Sequence, residues 1–221
     1  MGSEQTSCLS STLECLPKNE QLTIWGDHFN QDTRALLIIC EMAGKTHKFR
    51  EVNTFKEENF SKKYVELNPT SSIPIITCRD TKCIGDQSSL YQFLYNTDPY
   101  IKSMFFCDNQ ALQIKNLMDW LCKVMRQSTS KLIRRIYIQR VLKVKNRKSV
   151  NIDLTRFKQF FTTYLTHLEA LLATNKFLTG KKMTYVDILI YVEIHTITRL
   201  YSWHIEHSQH PCLSAWFTSL S

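Results

Sequence analysis

Between Asn68 and Leu94 the chain runs from Asn68-Pro69 through Ile73-Pro74 and a short apolar run, Ile75 to Thr77, to a polar Arg79-Asp80-Thr81-Lys82. Cys83-Ile84 follows, and a new segment opens at Asp86. A polar tetrapeptide between two apolar runs predicts a hairpin. Leu90, Phe93 and Leu94 then recur at helical spacing, so the hairpin feeds a helix whose first turn carries a carboxylate. Free backbone N–H groups and a partial positive charge at a helix start attract an anion. An acid beside them attracts an ammonium, and a zwitterionic peptide satisfies both.

The rest of the chain frames this segment. Leu22 to Trp25 reads as a first strand, and Asn30 opens a helix whose apolar body, Ala35 to Ala43, stops at Gly44. His47 to Val52 suits a second strand, and Glu57 to Leu67 a short polar helix halted by Pro69. From residue 109 the pattern is helical throughout. One apolar stripe is Leu112, Ile114, Leu117, Met118, Leu121 and Met125; another is Phe157, Phe160, Phe161, Leu165 and Leu168. The expected division is a tail over residues 1–20, an α/β domain over 21–97, a linker over 98–108 and an all-helical domain over 109–221.

An apolar share of 43% in 221 residues supports a real core. No apolar run approaches 18 residues and no signal peptide is visible, so a secreted or membrane-spanning protein is not expected. Eight scattered cysteines then point to reduced thiols in a cytosol-like compartment, and a disulfide between Cys78 and Cys83 across the hairpin is disfavoured. Met1 to Thr6 fits the N-myristoylation pattern at Gly2, and Cys8 is placed for a second acyl chain; the alternative is an ordinary polar tail. His204, His207, His210 and Cys212 are closely spaced but complete no common zinc pattern, and no metal is expected.

Charge is uneven. Trp120 to Ile152 holds ten Lys and Arg and no acid. Eight of them, Lys131, Arg134, Arg135, Arg140, Lys143, Lys145, Arg147 and Lys148, alternate with apolar residues in what reads as a basic amphipathic helix. Either this is a solvated face, or it meets an acidic protein or an anionic membrane surface. Nucleic acid is disfavoured, because no aromatic-bearing sheet or groove-reading motif accompanies the patch.

At Asn68-Pro69, Ile73-Pro74 and Asp86-Gln87 the sequence resembles the glutathione transferases, the theta class above all. A second resemblance lies in Asn175 to Gly180 followed by Met183-Thr184-Tyr185-Val186-Asp187. There Thr184 and Asp187 have the spacing of a capping box, with Met183 and Ile188 as a staple. The segment from His210-Pro211 to Trp216 resembles the family's closing motif. The resemblance spans residues 22–221. It implies a thioredoxin-like domain followed by a helical domain, glutathione as ligand or substrate, a cis bond before Pro74, and a homodimer or a place in a larger complex.

Carried over residue by residue, the family's activating serine falls at Asn30 in Asn30-Gln31-Asp32-Thr33-Arg34-Ala35. Arg34 is retained and Gln31 borders the same turn. Asn59 stands where the family has the histidine that holds the glycine carboxylate, Ser72 where it has a lysine, and Gln87 where it has a serine. Asp86 keeps the acid for the γ-glutamyl ammonium, and Ile73 keeps the backbone pairing before Pro74. An amide can donate to a thiolate but cannot pass on a proton. Asp32 is expected to cancel part of the helix dipole that favours the thiolate. Losing two charge-assisted hydrogen bonds at about 1.5–3 kcal/mol each weakens binding by factors on the order of 10² to 10⁴.

Two functions follow from these residues. One is a divergent glutathione transferase with a degenerate site, conjugating glutathione to an electrophile weakly or not at all. The other is a non-catalytic docking subunit that uses the basic helix.

Overall fold

Alternation of buried and half-buried side chains along Leu22–Gly26 makes strand β1, with Leu22 and Ile24 fully buried. The structure is a computed structural model, and it describes residues 21–78, 81–83, 87–140, 154–201, 205 and 207–221. Strand β2 (His47–Glu51) lies parallel to β1, β3 (Ile75–Cys78) antiparallel to β1, and β4 (Thr81–Cys83) antiparallel to β3. The strand order β2-β1-β3-β4, with helix α1 (Gln31–Met42) crossing between β1 and β2, is the expected thioredoxin-like arrangement. Ala43 caps α1, and Gly44 takes the left-handed conformation (φ +61°) predicted for it.

The polar helix expected over Glu57 to Leu67 is broken in two. Short 3₁₀ turns occupy Thr54–Lys56 and Glu58–Phe60, and α2 covers only Lys62–Leu67. Glu57 is left-handed (φ 58°) and Ser61 is extended, so neither continues a helix; the Ser61 hydroxyl instead caps α2 at Tyr64 N. After α3 (Gln87–Thr97) the segment expected as a linker carries helix α4 (Pro99–Phe105). Asp98 caps it through Tyr100 N and Ile101 N, Pro99 supplies the first helical residue, and Ile101 and Phe105 are fully buried. Asp98 also pairs with Lys45 at 2.9 Å inside the protein.

The helical half continues with α5 (Ala111–Trp120), a π turn (Leu121–Met125), α6 (Arg126–Arg140), α7 (Leu154–Leu172), α8 (Tyr185–Tyr201) and α9 (Pro211–Ser219). Ile114, Leu117, Met118, Leu121 and Met125 are buried as expected, but Leu112 is 67% exposed. A step of two residues turns a helix through about 200°, so Leu112 faces away from Ile114. Phe160 is likewise exposed at the edge of the α7 stripe, while Phe157, Phe161, Leu165 and Leu168 are buried. No described helix is long and apolar enough to cross a membrane.

The capping box at α8 forms in altered shape. Asp187 Oδ2 accepts the N–H of Thr184 at 2.9 Å, as predicted, but the Thr184 hydroxyl donates to the same oxygen at 3.0 Å instead of accepting from the N3 amide. Asp187 Oδ1 accepts Leu178 N and Trp216 Nε1, which ties the Phe177–Gly180 turn and α9 to the start of α8. Glu169 of α7 takes the N–H groups of Cys212 and Leu213 and so caps α9 from outside. Helix α1 packs along α8, joining the two halves through one main core.

Candidate functional site

Pairing of Trp25 with Ile75 brings Pro74 to the end of β1, and four residues beyond Gly26 the chain reaches Asn30. The first turn of α1 sits directly on Gly26: a Cβ there would lie 2.5 Å from Thr33 Oγ1. The start of α1 and the Ser71–Pro74 loop therefore share one end of the sheet, at the edge of the α/β half. The Ile73–Pro74 bond is cis.

Asn30 is the N-cap of α1. Its Oδ1 accepts Thr33 N at 2.8 Å and the Thr33 hydroxyl at 3.2 Å. An oxygen that must face backbone N–H turns the amide nitrogen outward, and Nδ2 donates to no described atom. Asn30 is half-buried, as is Gln31 beside it. Asp27, which the sequence reading passed over, holds the surrounding loops. It is buried, accepts Phe29 N on one oxygen, and accepts the N–H and hydroxyl of Thr54 on the other. A lone acid after a strand is an ordinary loop residue in sequence, so no signal marked it.

The other residues carried over from the resemblance are partly engaged within the fold. Asn59 is buried, and its Nδ2 donates to Ser71 O at 3.0 Å. Ser72 O accepts from Tyr64 OH and from Asn68 Nδ2, both at 2.7 Å, and its hydroxyl bonds Thr70. These contacts pin the loop before Pro74, where Ser71 is left-handed (φ 54°). Gln31 is half-buried beside Asn30. Arg34 points along the seam between α1 and α8 and donates to Thr196. Burial pulls the Arg34 guanidinium below its usual pKa, and Glu193 opposes that shift.

Asp32 does not act as the bare negative charge expected of it. Arg126, at the start of α6, clasps it with two hydrogen bonds of 3.0 and 2.7 Å. That contact joins residues 94 positions apart, which no local pattern foretells. Asp86 lies outside the described residues, as do Gly2, Cys8, Lys143, Lys145, Arg147, Lys148 and His204. Of Gln87, Arg134, Arg135 and Arg140 the backbone is described and the side chain is not; Lys131 is exposed on α6. His210 is buried at the start of α9, and among the described residues no three His, Cys, Asp or Glu gather in a metal-binding group.

The same architecture recurs in solved structures. An epsilon-class glutathione S-transferase from the housefly matches with a TM-score of 0.70 and 23% identity, over 90% of this chain and 87% of that one. The fold is that of the glutathione transferases. Human glutathione transferase theta-2, in complex with glutathione, matches with a TM-score of 0.73 and 19% identity, over 90% and 81% of the two chains. A Phanerochaete chrysosporium glutathione transferase with oxidised glutathione matches with a TM-score of 0.75 and 14% identity, over 91% and 89%. Residues 135–221 match the sequence model of the glutathione S-transferase C-terminal domain. Glutathione transferases of several classes share the fold at similar scores, so the fold singles out no class.

Proposed function

We propose that this chain is a theta-like glutathione transferase relative with a degenerate thiol site. It holds glutathione weakly at the edge formed by α1 and the Ile73–Pro74 loop, and its conjugation of the thiolate to electrophiles is slow or absent. One observation carries the reading: Asn30 spends its oxygen on the helix and keeps an outward amide nitrogen where the family places a hydroxyl. A neutral N–H donor stabilises a thiolate and so lowers the thiol pKa. It offers no proton to exchange and no second geometry, so the gain is smaller than a hydroxyl gives. Asn59 Nδ2 and the Ser72 hydroxyl support the same conclusion, because both already serve the loop. Asp86, Gln87 and the Ile73 backbone complete the proposed peptide site.

Calorimetric titration with glutathione under reducing conditions tests this. Binding at high micromolar to millimolar Kd, with conjugation greatly raised in Asn30→Ser, is the expected result. No binding at several millimolar glutathione overturns it.

The one-sided charge of α6 and the residues after it favours a second reading, a docking subunit in the cytoplasm. Its partner is an acidic protein or an anionic membrane surface, with acylation at Gly2 and Cys8 as a further anchor and self-association into a homodimer or larger complex. Sedimentation with anionic vesicles, compared between wild type and a variant reversed at Arg134, Arg135 and Lys143, decides it. Equal sedimentation of the two removes the membrane reading.

A further inference from the structure

Four charges from three helices meet behind the start of α1. Asp32 and Arg34 come from α1, Arg126 from α6 and Glu193 from α8. Arg126 directly follows the π turn Leu121–Met125. An extra residue in a helical turn re-aims everything after it, and such turns gather at functional sites. Arg126 clasps Asp32 through both terminal nitrogens, and its Nε stands 3.3 Å from Glu193 Oε2. Glu193 is fully buried, and its other oxygen accepts the Thr129 hydroxyl. Arg34 donates to Thr196, three residues beyond Glu193 on the same helix.

Two guanidinium and two carboxyl groups meet here, but the hydrogen bonding is incomplete. Glu193 Oε2 and Arg34 Nε are buried and make no hydrogen bond in the described structure. Glu193 Oε2 meets Arg126 as a charge only. A buried ionic cluster whose geometry is incomplete adds little net stability, because desolvation offsets attraction. What it does supply is a fixed relation between its members. Asp32 is two residues from Asn30 and lies in the same helical turn.

We propose that Arg126 is a positioning residue: by clasping Asp32 against Glu193 it fixes the first turn of α1, and with it the outward amide of Asn30. The helical half of the molecule thereby sets the geometry of the site on the α/β half. The glutathione arm of this idea rests on the function proposed above; the clasp itself does not.

Hydrogen exchange read by mass spectrometry on the full chain tests it, with wild type, Arg126→Met, Arg126→Lys, Asp32→Asn and the Arg126→Met/Asp32→Asn double variant. Exchange in peptides over residues 29–36 is expected to rise about 10- to 100-fold in Arg126→Met and in Asp32→Asn, with β1, β3 and α7 unchanged. The double variant is expected to exchange no faster than Arg126→Met, and Arg126→Lys to fall between that variant and wild type. Unchanged exchange at 29–36, or an equal rise everywhere, overturns the proposal. If Arg126→Met does not fold, Asp32→Asn carries the same comparison alone.

Glutathione titration of the same proteins separates the two ideas. A response at 29–36 in a protein that binds no glutathione leaves the clasp standing and removes the function. Wild-type binding that persists undiminished in Asp32→Asn, with exchange unchanged, removes the clasp and leaves the function.

Discussion

The starts of α1 and α8 each rest on one polar side chain, the cap residue Asn30 and the third-residue acid Asp187, and put it to opposite uses. At α8 the Asp187 carboxylate is saturated: it accepts from Thr184 N, the Thr184 hydroxyl, Leu178 N and Trp216 Nε1, and it is fully buried. At α1 the Asn30 side chain satisfies Thr33 with its oxygen and leaves a nitrogen facing outward. A cap with nothing left over holds the fold together. A cap with one group left over still has chemistry to offer, and only there is a ligand contact worth seeking.

The sharpest way to break the contrast is Asp187→Ala. It strands buried donors of Leu178, Thr184 and Trp216, and about 4 kcal/mol of stability should be lost. Urea unfolding of wild type and variant measures it; a loss under about 1 kcal/mol would mean that water replaces the carboxylate and that α8 is no firmer than α1. Gly26→Ala comes next. Its methyl would press on Thr33 Oγ1 and Cγ2, and the overpacking should cost about 1–3 kcal/mol while disturbing the α1 start. Thermal melts together with glutathione titration report both effects.

Asn30→Asp sharpens the comparison by putting a carboxylate at the start of α1, as there is at the start of α8. Asp caps as well as Asn, so stability should stay within about 0.5 kcal/mol, whereas Asn30→Ala should lose about 1 kcal/mol. The Asp variant loses both amide N–H donors and gains a negative charge beside a thiolate, so glutathione affinity should fall although the fold does not. Equal affinity in wild type and Asn30→Asp would show that the amide donates nothing.

The smallest expected effect is one of pH. Burial holds Glu193 above the ordinary carboxyl range, with Arg126 and the Thr129 hydroxyl pulling it partly back. The folded state therefore binds this proton more tightly than the unfolded state does. That favours folding at pH values below the unfolded pKa, and the benefit is lost as pH rises through the folded one. Glu193→Gln should flatten this slope in urea midpoints measured across acid and neutral pH. A slope identical to wild type would show that folding leaves the proton affinity of Glu193 unchanged.

Most of the fold was legible because its signals are local. Pro74 with its flanking apolar runs, Gly44 after the α1 stripe, and Thr184 with Asp187 each act within a few residues, and each appears where expected. The errors have equally plain causes. Residues 98–108 hold Pro99 and look like a linker, yet Asp98 and Pro99 together start a helix. Leu112 was grouped with a stripe it cannot join at a two-residue offset. The site was legible only as positions. That Asn59 and Ser72 are occupied by their own loop, that Asp27 ties two loops together, and that Asp32 is neutralised from α6 are contacts across distant segments. No spacing rule reaches that far.

The π turn at Leu121–Met125 has a consequence for how the clasp evolves. A single added residue offsets the phase of a continuing helix by about 100°. Helix α6 is thus rotated relative to the phase of α5, and the cation that grips Asp32 owes its position to that offset. Deleting one residue between Leu121 and Met125 would return α5 and α6 to a single register and swing Arg126 out of the seam. One codon thus stands between the interdomain clasp and its absence.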